Sequence, residues 1–120
     1  MKVFVSHSKN FNFKDELYEP IRESNLVSEH EFFFPHDTDV IFNTKGAIQN
    51  VYEVILAEVS FPSTGQGIEL GWAEDKNKKI ICIYKTGSKP ANSLKEISKS
   101  ILEYSDSQDM INKIASALVA

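Results

Sequence analysis

A chain of 120 residues with 42% hydrophobic and 25% charged residues has the make-up of one globular domain with a single core. The 13 Lys and Arg against 17 Asp and Glu give a net charge of −4 and no basic run, which argues against a nucleic acid polymer as partner. No apolar stretch approaches a membrane span, residues 1–5 read as a strand rather than a signal peptide, and the lone Cys82 precludes an internal disulfide; no membrane and a cytoplasmic setting are expected.

In chain order, residues 2–6 read as a first strand. Residues 14–24 read as a helix with Leu17, Tyr18 and Ile21 on one face, and Pro20 marks a kink or a late start. Residues 30–34 form a second strand closed by Pro35, and a helix begun near Asn43 ends over 47–52. The third strand is 54–59, followed by a helix over 65–77 in which Ser63 and Gln66 are spaced for a capping box. Residues 79–84 form the fourth strand, 87–90 a loop of turn formers, and 100–104 a weaker fifth strand. The last helix, 107–120, is striped by Met110, Ile111, Ile114 and Leu118. Strands alternating with helices predict a single α/β domain over 1–120, its mostly parallel sheet of four or five strands covered on both faces.

The most informative stretch runs from Val54 to Gly71. An apolar strand enters a loop of Pro, Ser and Gly, which opens a helix bearing Glu69 between Ile68 and Leu70. Ligands of open parallel sheets sit beyond the carboxyl ends of the strands, so Glu69 is expected to face a cleft there. The plainer reading of Glu69 is a carboxylate favoured near a helix start by the dipole, worth under about 1 kcal/mol. Glu58, inside the third strand, is either a second pocket acid or a strand-end residue in need of a partner. Ser6, His7, Ser8 and Lys9 offer hydroxyls, backbone amides and a cation, as a phosphate-binding loop or as a solvated turn. Gly65, Gly67 and Gly71 match a dinucleotide fingerprint only weakly, since they follow the third strand and no acid ends the next; a generic anion site at the helix start fits better. His7, His30 and His36 lack metal-ligand spacing with one another or with Cys82, so no metal is expected. The run from His36 to Asp39 is a polar loop after a strand, or a metal or acid cluster.

Ala57-Glu58-Val59, Pro62-Ser63, Gly65, Gly67 and Glu69-Leu70-Gly71 followed by Ala73 resemble the nucleoside 2-deoxyribosyltransferase superfamily, in particular its 2′-deoxynucleoside 5′-phosphate N-hydrolase branch. The specific part runs from Val54 to Ser93. The resemblance implies a flavodoxin-like (Rossmann-like) three-layer sandwich. It also implies cleavage of the N-glycosidic bond, or deoxyribosyl transfer, on a small nucleoside or nucleoside 5′-monophosphate without a cofactor. Glu69 matches the nucleophile, which forms a covalent glycosyl intermediate. Ser8 and Ser63 match phosphate contacts, and Ser93 matches a serine supplied across a homodimer interface. Three departures stand out. By ungapped count the family's second acid falls at Lys45, leaving Asp37, Asp39 and Glu58 as the candidates for that role. Lys9 stands in for a missing arginine, and Phe4 for an aromatic residue with a phenol. These departures keep open a non-catalytic nucleotide-binding or signalling module of the same fold. Residues 3–8 also resemble the opening of Toll/interleukin-1 receptor domains, some of which cleave NAD.

Overall fold

The computed structural model describes residues 1–37 and 43–119. In it the apolar runs become β1 (Lys2–His7), β2 (Glu31–Phe33), β3 (Val54–Glu58), β4 (Lys79–Lys85) and β5 (Ser100–Tyr104). They form one five-stranded sheet in the order β2-β1-β3-β4-β5, with each neighbouring pair parallel. That is the flavodoxin-like order, and its topological switch lies between β1 and β3.

Strand side chains alternate between faces, and the two faces collect different helices. Val3, Val5, Val54, Leu56, Ile81 and Ile83 pack with Leu17, Ile21, Met110, Ile114 and Leu118. These partners belong to the helical segment after β1, ending in α1 (Glu19–Arg22), and to α5 (Ser107–Val119). Phe4, Ile55, Ala57, Ile80 and Cys82 pack instead with Ile48 of α3 (Thr44–Asn50) and with Leu70 and Ala73 of α4 (Thr64–Asp75). The result is a three-layer α/β sandwich in which β3 is buried along its whole length. Each fully buried Leu or Ile in it contributes roughly 1.5–3 kcal/mol.

The differences from expectation are local. Pro20 sits in the first turn of α1, and the preceding turn (Lys14–Tyr18) is wound as a π-helix that runs into it, so the regular α-helix starts late. A four-residue helix, α2 (Leu26–Glu29), and a 3₁₀ turn (Asn92–Glu96) were not expected; neither is long enough to display a period. α4 stops at Asp75 because Asn77 turns into the left-handed region at φ 55°, a conformation Asn tolerates. Gly87, at φ 91°, makes the turn expected after β4. The capping box forms by half. Ser63 caps α4 by accepting from the Gln66 N–H at 3.2 Å, while the Gln66 side chain is drawn inward to the strand ends.

Candidate active site

At the β1/β3 switch the chain leaves the two strands in opposite directions, and a cleft of about 530 Å³ opens between the connections. Its floor is the end of β1 and the segment after it, from His7 to Asn10. One wall is the β3–α4 loop and the first turns of α4, from Pro62 to Gln66 and including Glu69. The opposite wall is Pro35 and His36, just beyond β2.

Strand parity decides which helical layer each side chain at the strand ends meets. Register pairs Ser6 with Ala57 and His7 with Glu58. Ser6 therefore faces α4, while His7 and Glu58 face the other helical layer. The Ser6 hydroxyl donates to Glu69 Oε1 at 2.7 Å. Glu69 is half-buried; burial raises its carboxyl pKa, and the Ser6 hydrogen bond acts against the rise. Glu69 is the one carboxylate among the described residues that line the cleft.

Glu58 does not join it. Fully buried on the opposite face, it accepts from the Ser60 N–H and hydroxyl, both at 2.8 Å, and from the Tyr104 hydroxyl. Ser60 in turn accepts from the Lys85 N–H at 2.7 Å, so the ends of β3, β4 and β5 are tied together. Burial, and after it the hydrogen bond to Glu58, raises the Tyr104 phenol far above its ordinary pKa.

His7 is held at both ring nitrogens, by the Ser8 carbonyl at 2.7 Å and the Tyr18 hydroxyl at 2.6 Å. The Tyr18 oxygen also accepts from the His36 N–H at 3.2 Å, which fixes the far wall of the cleft. Burial, then the charge of Lys9, lowers the His36 pKa, so its ring faces the cleft neutral at pH 7. Phe11 stacks on Phe61 at 5.1 Å and joins the loop after β1 to the β3–α4 loop.

The other expected positions divide. Ser8 is buried, its hydroxyl accepting from the Asn10 N–H at 3.0 Å, and Lys9 stands exposed at the rim. Ser63 and Gly65 line the wall; a Cβ at Gly65 would meet nothing within 4 Å, so the backbone there is open to a ligand. Gly67 and the exposed Ser93 lie instead along a neighbouring groove of about 250 Å³, walled by Phe61, Leu70 and Leu94. Asp37 is turned out of the cleft into an ion pair with Arg22 at 2.5 Å. Asp39 lies outside the described residues. Lys45 is exposed on α3, away from the cleft lining. Gln66 and Tyr18 were missed as site residues, and His36 was weighed only as part of a metal or acid cluster or a polar loop. Gln66 gave a signal, a polar side chain at the first turn of a helix entering the core, but its spacing read as a cap. Among the described residues no group of three or more His, Cys, Asp or Glu comes together as a metal site, and no helix is long and apolar enough to cross a membrane.

No protein-family model matches the chain. A 5-hydroxymethyl-dUMP N-hydrolase of Tetraodon nigroviridis is 40% identical over 55 residues, 46% of this chain and 34% of that protein. The protein of the same name from Danio rerio is 44% identical over 50 residues, 42% of this chain and 31% of that protein. The match thus spans about a third of the length of these curated relatives. In structure, the CMP N-glycosidase of Clostridium botulinum superposes with a TM-score of 0.68 at 21% identity, over 96% of this chain and 99% of that one. The two curated likenesses support the nucleoside 2-deoxyribosyltransferase-like superfamily, in its N-hydrolase branch. The structural match shows the Rossmann-like fold over nearly the whole chain. The residues that resemble the superfamily, from Ala57 to Ala73, span the end of β3, the loop that walls the cleft, and the part of α4 that carries Glu69.

Proposed function

We propose that the chain cleaves the N-glycosidic bond of a small nucleoside 5′-monophosphate, with Glu69 as nucleophile. The observation that carries this reading is Glu69 itself, a half-buried carboxylate at the switch-point cleft with a hydroxyl donor at 2.7 Å. The relatives' names, an N-hydrolase of 5-hydroxymethyl-dUMP and an N-glycosidase of CMP, point to the same bond and to pyrimidine monophosphates.

In the first step a Glu69 oxygen bonds to the anomeric carbon as the C–N bond breaks, and the base leaves with the electron pair and takes a proton from water. In the second, water attacks the same carbon, expels the Glu69 carboxylate and gives up a proton, so the sugar emerges with retained configuration. Lys9, Ser8 and Ser63, with the free N–H groups at the start of α4, bind the phosphate. Gly67 and Ser93 belong to the groove next door, and a second copy of the chain docked there brings Ser93 to the partner's phosphate. A buried, unpaired Cys82 suits the cytoplasm.

The test is incubation with deoxyribo- and ribonucleoside monophosphates and with the parent nucleosides, with free base measured by chromatography. Base release by the parent and its absence in Glu69→Ala support the proposal. Equal release by both, or intact substrates throughout, overturns it. A second reading, a nucleotide-binding module without catalysis, is favoured by the exposed Lys45 and by Glu69 having no other carboxylate beside it among the described lining residues. Tight nucleotide binding without base release selects that reading, and nicotinamide release from NAD selects a Toll/interleukin-1 receptor-like one.

A further inference from the structure

The ends of β1 and β3 present carbonyl groups at a point where the chain leaves the sheet, and such buried groups need donors. One side chain supplies them. Gln66 Nε2 donates to the Ser6 carbonyl at 3.1 Å and to the Glu58 carbonyl at 2.9 Å. A primary amide carries two N–H groups on one nitrogen, which matches two acceptors. Gln66 is only 5% exposed, an unusual place for a glutamine. It lies three residues before Glu69 on α4, so both side chains project from one helical face. Ser6 is thus engaged twice by that face, through its carbonyl by Gln66 and through its hydroxyl by Glu69.

We infer that Ser6 and Gln66 are positioning residues for Glu69: Gln66 fixes the end of β1, and the Ser6 hydroxyl so fixed holds Glu69 Oε1, leaving Oε2 for the anomeric carbon. The attack itself rests on the reading of Glu69 as nucleophile; the hydrogen-bonded clamp does not. Ser6 is 1% exposed and absent from the cleft lining, which suits a residue acting through Glu69 rather than on substrate. The hydrogen bond favours the charged form of Glu69 and so works against the burial that disfavours it. A glutamine at 66 is required by this account, because an apolar residue there takes a donor away from both strand-end carbonyls.

Two readouts test it. Carboxyl-carbon NMR of Glu69 is titrated in the parent, Ser6→Ala, Ser6→Thr and Gln66→Met. The midpoint rises in Ser6→Ala, returns toward the parent in Ser6→Thr, and rises in Gln66→Met. In turnover, Ser6→Ala lowers kcat roughly tenfold to a hundredfold, with KM changed less than about threefold, and moves the acid limb of the pH profile upward. The Ser6→Ala/Gln66→Met pair is less than additive in kcat, as residues acting through one group must be. A Glu69 midpoint unchanged by Ser6→Ala overturns the inference. So does a loss confined to KM. If no variant and no parent releases base, the proposed function fails, and the titration still decides the clamp. Should Ser6→Ala not fold, the nearly isosteric Ser6→Cys, a weaker donor, gives the same titration reading.

Discussion

His7 offers a pH dependence whose size follows from its surroundings. It is 5% exposed, and the Ser8 carbonyl at 2.7 Å can only accept, so Nδ1 carries the proton and Nε2 accepts from the Tyr18 hydroxyl. A second proton on the ring would sit at Nε2, against that hydroxyl, among Phe13 and His36. Burial above all, with some help from the charges of His36 and Lys9, pushes the His7 pKa down from 6.5 to about 4. Above pH 6.5 the folded and unfolded chains both hold it neutral, and stability is unaffected. Between 6.5 and about 4 the unfolded chain takes up a proton that the folded chain refuses, so stability falls as the pH falls. At about 1.4 kcal/mol per pH unit the interval is worth about 3 kcal/mol. The perturbation is His7→Gln, which keeps a donor and an acceptor but does not titrate. Urea unfolding followed by the fluorescence of Trp72, the single tryptophan, gives the stability of parent and variant from pH 7 to pH 4. The parent's margin over the variant is expected to shrink by about 3 kcal/mol across that range, since every other titrating group is common to both. A margin constant to within about 0.5 kcal/mol refutes the reasoning and means that His7 titrates like an exposed histidine.

Glu69→Gln should lower base release at least about a thousandfold. It should also stabilise the protein at pH 7, because burial raises the Glu69 pKa and the charge is therefore held at a cost above it; the gain fades as pH drops to where the glutamate is protonated in both states. Calorimetry at pH 7 and at low pH checks the sign. Tyr104→Phe removes one donor from the buried Glu58 and should cost about 1–3 kcal/mol in urea unfolding, whereas a loss under about 0.5 kcal/mol would show the contact to be dispensable. Lys9→Ala should raise KM for nucleoside monophosphates roughly tenfold, in a salt-dependent way, and leave the KM of nucleosides unchanged; kinetics at two ionic strengths separate the two.

Much of the sheet was legible because its strands are apolar runs bounded by turn formers. Residues 100–104 match β5 end for end, and the central runs match β3 and β4 to within a residue. The short helices were not legible, since four residues carry no periodicity, as at Leu26–Glu29. The site was half legible. Glu69 could be found because its helix start and its motif are both local in sequence. Its partner Ser6 was legible as a residue near the crevice but not as a donor to Glu69, because that depends on which face of β1 it occupies. Glu58 failed to separate from Glu69 for the same reason. Strand alternation puts it on the face opposite Ser6, yet only the pairing of His7 with Glu58 and of Ser6 with Ala57 reveals that the two faces diverge at the cleft. Asp37 looked available as an acid because nothing in the sequence announces its ion pair with Arg22.

The two carboxylates that flank the β3–α4 loop show how environment assigns their work. Glu58 engages both oxygens, Oε1 with the Ser60 N–H and Oε2 with the hydroxyls of Ser60 and Tyr104. Three of its roughly four acceptor sites are taken by the fold, and moving it would open the ends of three strands. Glu69 engages Oε1 alone, at the edge of a cavity, with burial working against its charge. On the reading of Glu69 as nucleophile, its remaining oxygen gains more from a cationic transition state than Glu58 could, because an oxocarbenium-like carbon supplies the positive charge that no hydrogen bond on that oxygen offsets. The acid tied at both oxygens thus holds the loop, and the acid with one oxygen engaged is the one the proposed reaction requires.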